Sequence, residues 1–139
     1  MENIQNNNIQ QQIYQFQYLK EQRDALAQNL GLISASLQNY MTTKATIENL
    51  KNIKEGEEIL IPIGGSIIIK ASISNTEKIL TYVGQDVVVD KSIEEANQFI
   101  ESIIEQHNEQ IKYLNNELYK LDTTLQGMSQ LIQQGNPQI

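Results

Sequence analysis

The sequence predicts a mainly α protein with a small β insert. Two long helical arms fold back on each other as an antiparallel two-helix coiled coil and are joined by two β-hairpins. Three observations carry this expectation. Apolar residues recur in steps of three and four along both ends of the chain, the seam of a left-handed coiled coil. Between the arms the period changes to two, in residues 57–73, which read EEILIPIGGSIIIKASI. Turn residues then divide that stretch and its continuation into four short segments.

In the first arm Leu19, Leu26, Ile33, Tyr40 and Ile47 recur every seven residues. A second row lies three residues earlier in each heptad: Ile9, Phe16, Arg23, Leu30, Leu37 and Lys44. Arg23 and Lys44 fall on the seam, where they weaken it locally and help to set the register, as polar seam residues can. The regular spacing argues against disorder, although the arm is rich in Gln and Asn.

The β block is expected to hold strands over 58–63, 66–73, 78–83 and 86–90. Gly64-Gly65 closes the first pair, Gly84-Gln85-Asp86 turns the second, and Asn75-Thr76-Glu77 links them. Ile67, Ile69, Ala71 and Ile73 alternate with Ile68, Lys70 and Ser72, as in a strand with one drier face. Pro62 cannot donate a ladder hydrogen bond and marks a sheet edge or a bulge.

In the second arm Ile100, His107, Leu114, Leu121 and Met128 form one row, and Ile104, Ile111, Leu118, Leu125 and Ile132 the other. Ser92 followed by Glu95 resembles a capping box, and Gly135 with Pro137 ends the arm. Each arm is about 40 residues, roughly 60 Å at the helical rise. The chain thus divides, within one domain spanning 1–139, into a helix over 1–54, hairpins over 57–91, a helix over 92–134 and a tail over 135–139.

Composition narrows the functions. The chain has 139 residues, of which 40% are hydrophobic, with no Trp and no Cys, so a compact core would be lean and disulfides are excluded. The opening MENIQNNNIQQQ lacks the pattern of a secretory signal. No apolar run approaches the ~20 residues needed to span a bilayer. These features lead us to expect a cytoplasmic protein with no membrane partner. A net charge of −7 with a single arginine opposes nucleic-acid binding. His107 is the only histidine and has no Cys or second His to complete a metal site or catalytic group, so it reads as a seam residue. Gly64-Gly65 lacks the Lys-Ser/Thr of a phosphate loop. Asp86, Asp90, Glu94 and Glu95 read as turn and helix-start charges. Neither catalysis, a cofactor nor a metal is expected.

Two small hairpins cannot bury Ile59, Ile61, Ile63, Ile67, Ile69, Ile73, Val83, Val87 and Val89 between themselves, and a pair of helices has no bulk to cover them. Other chains are expected to cover them, which makes the isoleucine block an assembly device.

With this layout the chain resembles the prefoldin family, and within it the archaeal alpha class. The resemblance spans essentially the whole chain. It is most specific in ILIPIGGSIIIKASI followed by KILTYVGQDVVVDKSIEEA, through Pro62-Ile63-Gly64, Lys70-Ala71, the Val83-Gly84 turn and the acidic start of the second helix. The chain departs at Gly64-Gly65-Ser66-Ile67, where archaeal alpha subunits often read Gly-Ala-Gly-Ser, and a gamma-like member of the same class remains an alternative. The resemblance implies an ATP-independent holding chaperone. In such a complex two alpha and four beta-class subunits join their hairpins into a β-barrel platform, from which the coiled coils hang. Their tips capture unfolded client proteins for delivery to a group II chaperonin.

In an antiparallel arrangement residues near 1–16 face those near 129–139. Ile4, Ile9, Ile13, Tyr14, Phe16, Met128, Leu131, Ile132 and Ile139 are therefore the candidate client contacts. Ile9, Phe16, Met128 and Ile132 can equally finish the seam, whereas Ile4, Ile13, Tyr14, Leu131 and Ile139 lie off it or beyond it and are expected to be exposed. Met suits adaptable binding. The competing function is a structural coiled-coil spacer or filament-forming subunit, which would use the same hairpins but need no apolar tips.

Overall fold

The computed structural model describes residues 1–135. The elements follow in the order α1 (Glu2–Leu50), β1 (Glu58–Gly64), β2 (Ile67–Ser72), β3 (Lys78–Gly84), β4 (Val87–Ser92) and α2 (Ile93–Gly135). Two long helices enclose two β-hairpins in sequence, as the periodicity predicts. Ile139 and Pro137 of the expected tail lie outside the described residues.

α1 stops at Leu50, four residues before the expected end at 54. The backbone N–H groups of Lys51, Asn52 and Ile53 donate to the carbonyls of Glu48, Asn49 and Leu50, a tightening that closes the helix. Gly56 then adopts φ +85°, in the left-handed region that glycine reaches without a Cβ clash. Its N–H donates to the Ile73 carbonyl at 2.7 Å, and Ile73 N–H donates to Glu57 O at 3.2 Å, so the first hairpin is tied off just beyond its last strand pair.

The hairpins form two separate two-stranded antiparallel sheets. β1 pairs with β2 from Glu58 opposite Ser72 to Gly64 opposite Ile67, with the register shifting between Pro62 and Gly64. Pro62 therefore stands beside a bulge, as its missing N–H requires. The turn is Gly65-Ser66, one residue later than expected. Both have positive φ, 46° and 67°, the requirement of a two-residue turn whose twist matches the strands. In the second hairpin the turn residues are Gln85 and Asp86, with Asp86 at φ 59°, and β4 runs on to Ser92 rather than stopping at 90. Between the hairpins the Asn75 side-chain amide oxygen accepts from the N–H groups of Glu77 at 2.8 Å and Lys78 at 3.3 Å, a side-chain turn.

α2 begins where Ser92 Oγ accepts the Glu95 N–H at 3.1 Å. This satisfies one of the orphan donors of the first turn. Glu94 and Glu95 place negative charge at the positive helix end.

Two compact units are distinguished along the chain. One comprises Met1–Ser36 with the chain from His107 onward, and the other Leu37–Gln106. In the first, Leu114, Leu118, Leu125 and Ile132 of α2 are buried, and Ile9, Phe16, Leu19, Leu26, Leu30 and Ile33 of α1 are half-buried. These are the predicted seam positions, and most residues between them are exposed, with Gln12, Ile13 and Ala27 of α1 half-buried beside the seam. In the second unit Ile47, Ala96 and Ile100 form the core, with Tyr40, Ile79, Ile93, Phe99 and Ile104 packed on it. Lys91 of β4 lies 5.6 Å from the centre of the Phe99 ring and adds a cation–π contact between hairpin and helix. The β block is therefore not wholly without intramolecular cover: Ile79 enters this core, and Ile59 and Ile73 are half-buried.

Two outcomes test these contacts by denaturant unfolding followed by circular dichroism. Leu118, 9% exposed, should cost about 2–5 kcal/mol when changed to Ala, because the removed methyl groups leave a cavity on the seam. Ser92→Ala should cost about 0.5–2 kcal/mol through the lost cap, with the helix otherwise retained.

Candidate functional site

The hairpins carry the largest set of uncovered apolar side chains. Ile61, Ile63, Ile67, Ile69, Val83, Val87 and Val89 are all exposed, between 39% and 60%. Strand pairing fixes which of them act together, because residues directly opposite share a face. Ile61 stands opposite Ile69, and Ile59 opposite Ala71. The other face is apolar as well. Leu60 is 64% exposed, Ile68 60%, Leu80 73% and Tyr82 72%, and Tyr82 stands opposite the exposed Val88. The period-two reading, which looked for one dry face, did not select these residues. The signal that identifies them is the unbroken apolar run in ILIPI, III and VVV, the mark of strands covered on both faces.

At the ends of the helices, Ile4 is 75% exposed, Tyr14 78% and Leu131 60%. Ile9, Phe16 and Met128 are half-buried and Ile132 is buried, so these four sit on the seam. Ile9 meets α2 closely: a Cβ added to Gly135 would lie 3.4 Å from its Cδ1. Ile13, expected to be exposed, is half-buried. It lines a groove of about 260 Å³ with Phe16, Gln17, Lys20, Ile132 and Gln133. Ile139 lies outside the described residues.

The polar seam residues have partners on the facing helix. Arg23 Nε donates to Asp122 Oδ1 at 2.8 Å, and Arg23 also meets Asp24 at 3.4 Å. The hydrogen bond and charge of Asp122, then Asp24, raise the guanidinium pKa above its usual value. Lys44 Nζ lies 3.1 Å from Glu101 Oε1. The longer side chains thus leave the apolar seam for its edge, where each pairs with an acid and fixes register more than it adds stability. His107, half-buried, lies with Nε2 3.2 Å from Ser36 Oγ. Among the described residues no group of three His, Cys, Asp or Glu is placed to hold a metal ion, and no helix is long and apolar enough to cross a membrane.

The arrangement defines a class: a coiled-coil subunit whose two helices are joined through apolar β-hairpins. The chain belongs to the prefoldin family, a family of non-enzymatic chaperone subunits, whose model, described as "Prefoldin subunit", matches residues 19–138. It is 35% identical over 118 residues to the prefoldin subunit alpha of Pyrococcus horikoshii, covering 84% of this chain and 80% of that one. It is also 35% identical over 100 residues to prefoldin subunit alpha 1 of Thermococcus kodakarensis, covering 71% and 68%. Two solved structures share the fold. Filamentous prefoldin from Methanocaldococcus jannaschii matches with a TM-score of 0.71 at 22% identity, over 81% of this chain and 93% of that one. The prefoldin beta subunit from Thermococcus strain KS-1 matches with a TM-score of 0.60 at 13% identity, over 91% and 90%.

The seam reading of His107 has a direct test. Replacing His107 with Leu and Ser36 with Ala together removes both polar groups and restores an aliphatic contact, so the thermal midpoint should hold or rise. A client-protection assay on the same variant should match wild type, and loss of protection at unchanged melting would make His107 a functional residue.

Proposed function

We propose that the chain is the alpha-class subunit of an ATP-independent holding chaperone, assembled through its hairpins with beta-class subunits. Its helix tips capture unfolded polypeptides for a group II chaperonin in the cytoplasm. The observation that carries this reading is the two-faced apolar surface of both hairpins. A side chain of this kind is worth about 1.5–3 kcal/mol when buried, so a set of twelve exposed in one subunit strongly favours association. The alpha-subunit relatives support partners of the beta class, in a complex of two alpha and four beta chains whose hairpins close into a β-barrel platform. At the other end, Ile4, Tyr14 and Leu131 stand in solvent beside the groove floored by Ile13, Phe16 and Ile132. Unfolded clients present short apolar segments of no fixed sequence, which suits several weak contacts acting together. Tethering tips in one assembly can multiply such affinity by ~10²–10⁴.

The alternative is a structural spacer or a filament-forming, gamma-like subunit. It draws on the filamentous assembly named for the Methanocaldococcus jannaschii prefoldin. Both readings need the hairpins, and they part at the tips.

Changing Ile61 and Ile69 to Asp places two charges on facing positions of one sheet face, each costly to bury. Size-exclusion chromatography should show loss of the large species, while circular dichroism keeps its helical signal. A wild-type chain that stays monomeric at high micromolar concentration, alone and with a beta-class subunit, would refute assembly through the hairpins.

Removing residues 1–12 together with 129–139 should leave assembly intact but sharply reduce protection of a denatured client, read by light scattering on dilution from denaturant, with ATP making no difference. Undiminished protection would move the client site off the tips. Wild-type scattering equal to buffer would favour the spacer.

A further inference from the structure

The two hairpins share a sequence pattern at a constant offset of twenty residues. Glu57, Ile59, Leu60, Gly64, Ser72 and Ile73 correspond to identical residues at 77, 79, 80, 84, 92 and 93, and the Ile67-Ile68-Ile69 run corresponds to Val87-Val88-Val89. The ladders repeat as well. Every cross-strand pair of β1 and β2 recurs in β3 and β4 at the same offset, from Glu58↔Ser72 and Lys78↔Ser92 to the displaced pairs Gly64↔Ile67 and Gly84↔Val87. A slip of one residue would exchange the faces of a strand, so corresponding positions lie on the same faces in both hairpins, and the apolar frame is shared except where Ile61, Pro62 and Ala71 correspond to Thr81, Tyr82 and Lys91.

They differ in charge. Glu58 of the first hairpin corresponds to Lys78 of the second, and Lys70 to Asp90, so both signs are inverted. In each hairpin the two charges share the face of the exposed leucine, because Leu60 is directly opposite Lys70 and Leu80 directly opposite Asp90. All four charged residues are exposed, and among the described residues none of them is in an ion pair. Elsewhere the chain pairs charges that face a partner element, as Arg23 with Asp122 and Lys44 with Glu101 do.

We propose that the hairpins are one docking unit in duplicate. The shared apolar frame holds a hairpin of another prefoldin-family chain, and the inverted charges at 58/78 and 70/90 decide which partner hairpin each one accepts. The inference rests on the assembly reading above and adds specificity to it. The occupant follows from the surface. Each hairpin offers an open edge on both strands and aliphatic side chains on both faces, and another hairpin of the same kind supplies strand edges and side chains at the matching spacing. Since the frames are alike at most positions, apolar contact separates the two sites only weakly. Charge can, because a like charge brought to the wrong site is repelled while the matched one is not.

The test uses the full chain co-expressed with the beta subunit of Thermococcus strain KS-1, with composition read by native mass spectrometry and folding by circular dichroism. A frame variant, Ile67→Val with Ile68→Val and Ile69→Val, gives the first hairpin the valines of the second. It should form the same single composition as wild type. A charge variant, Glu58→Lys with Lys70→Asp, gives the first hairpin the signs that the second carries at these two positions. It should still recruit partners but spread over two or more compositions, with less than half remaining in the wild-type one. A charge variant that keeps the single wild-type composition, or recruits no partner at all, overturns the role given to the charges. A frame variant that loses its partners overturns the shared frame. A wild-type chain that recruits neither the beta subunit nor a second copy of itself removes the assembly reading on which the inference stands.

Discussion

Ala96, 1% exposed, is the most enclosed side chain among the buried residues of the chain. Its single methyl lets Ile47 of α1 and Ile100 of α2 close on one another, and Ile79 of β3 packs against the same cluster. Both helices and the second hairpin therefore meet at one small residue. A larger side chain there would have to push the elements apart, since packed interiors tolerate added volume poorly. The Ser92 cap one turn earlier starts α2 at the point where it can reach this contact. The Lys91–Phe99 contact reinforces the same corner. Elements on either side of that corner are extended, so the joint is where the geometry of the hairpins relative to their flanking helices within Leu37–Gln106 is set.

Little else in the β block is buried. Few side chains of the hairpins are enclosed by their own chain, and the most exposed of them, Leu80 and Tyr82, are large. Single exposed apolar residues are ordinary on protein surfaces, whereas a contiguous set on both faces of two sheets marks a surface that something else covers. The helices show the opposite balance. Their apolar residues are concentrated on one stripe, and the polar residues that interrupt it are satisfied from the facing helix. The same chain thus combines helices that cover most of their own apolar stripe with hairpins whose apolar faces stay open.

The ends of the helices are chemically unlike the rest of the chain. Residues 3–19 and 123–135 carry no charged side chain, and Gln and Asn dominate between the apolar positions. Carboxamides both donate and accept hydrogen bonds, and they surround the groove floored by Phe16 and Ile132. An amide-rich rim around an apolar floor, with Lys20 as its one charged lining residue, suits the proposed capture of varied segments, because no fixed side-chain pattern is read there.

Sequence periodicity by itself determined the two helices, their facing rows and the four strands. A seam repeating every seven residues and a strand repeating every two are one-dimensional statements about which side chains share a face, and burial at Leu114, Leu118, Leu125 and Ile132 follows them directly. It also placed a break at Pro62 and a cap at Ser92, since each depends on the hydrogen-bonding capacity of one residue. Only the tertiary structure decided what depends on approach between distant residues. The pairing of Arg23 with Asp122 and Lys44 with Glu101 turns apparent seam defects into cross-helix contacts. The turn falls on Gly65-Ser66, one residue later than Gly64-Gly65, because the bulge after Pro62 shifts the ladder. Ile13 is drawn into a groove, and Leu60, Ile68, Leu80 and Tyr82 emerge as a second apolar face. Alternation within a strand distinguishes its two faces but cannot say whether one or both will be covered, because that depends on surfaces supplied from outside the strand.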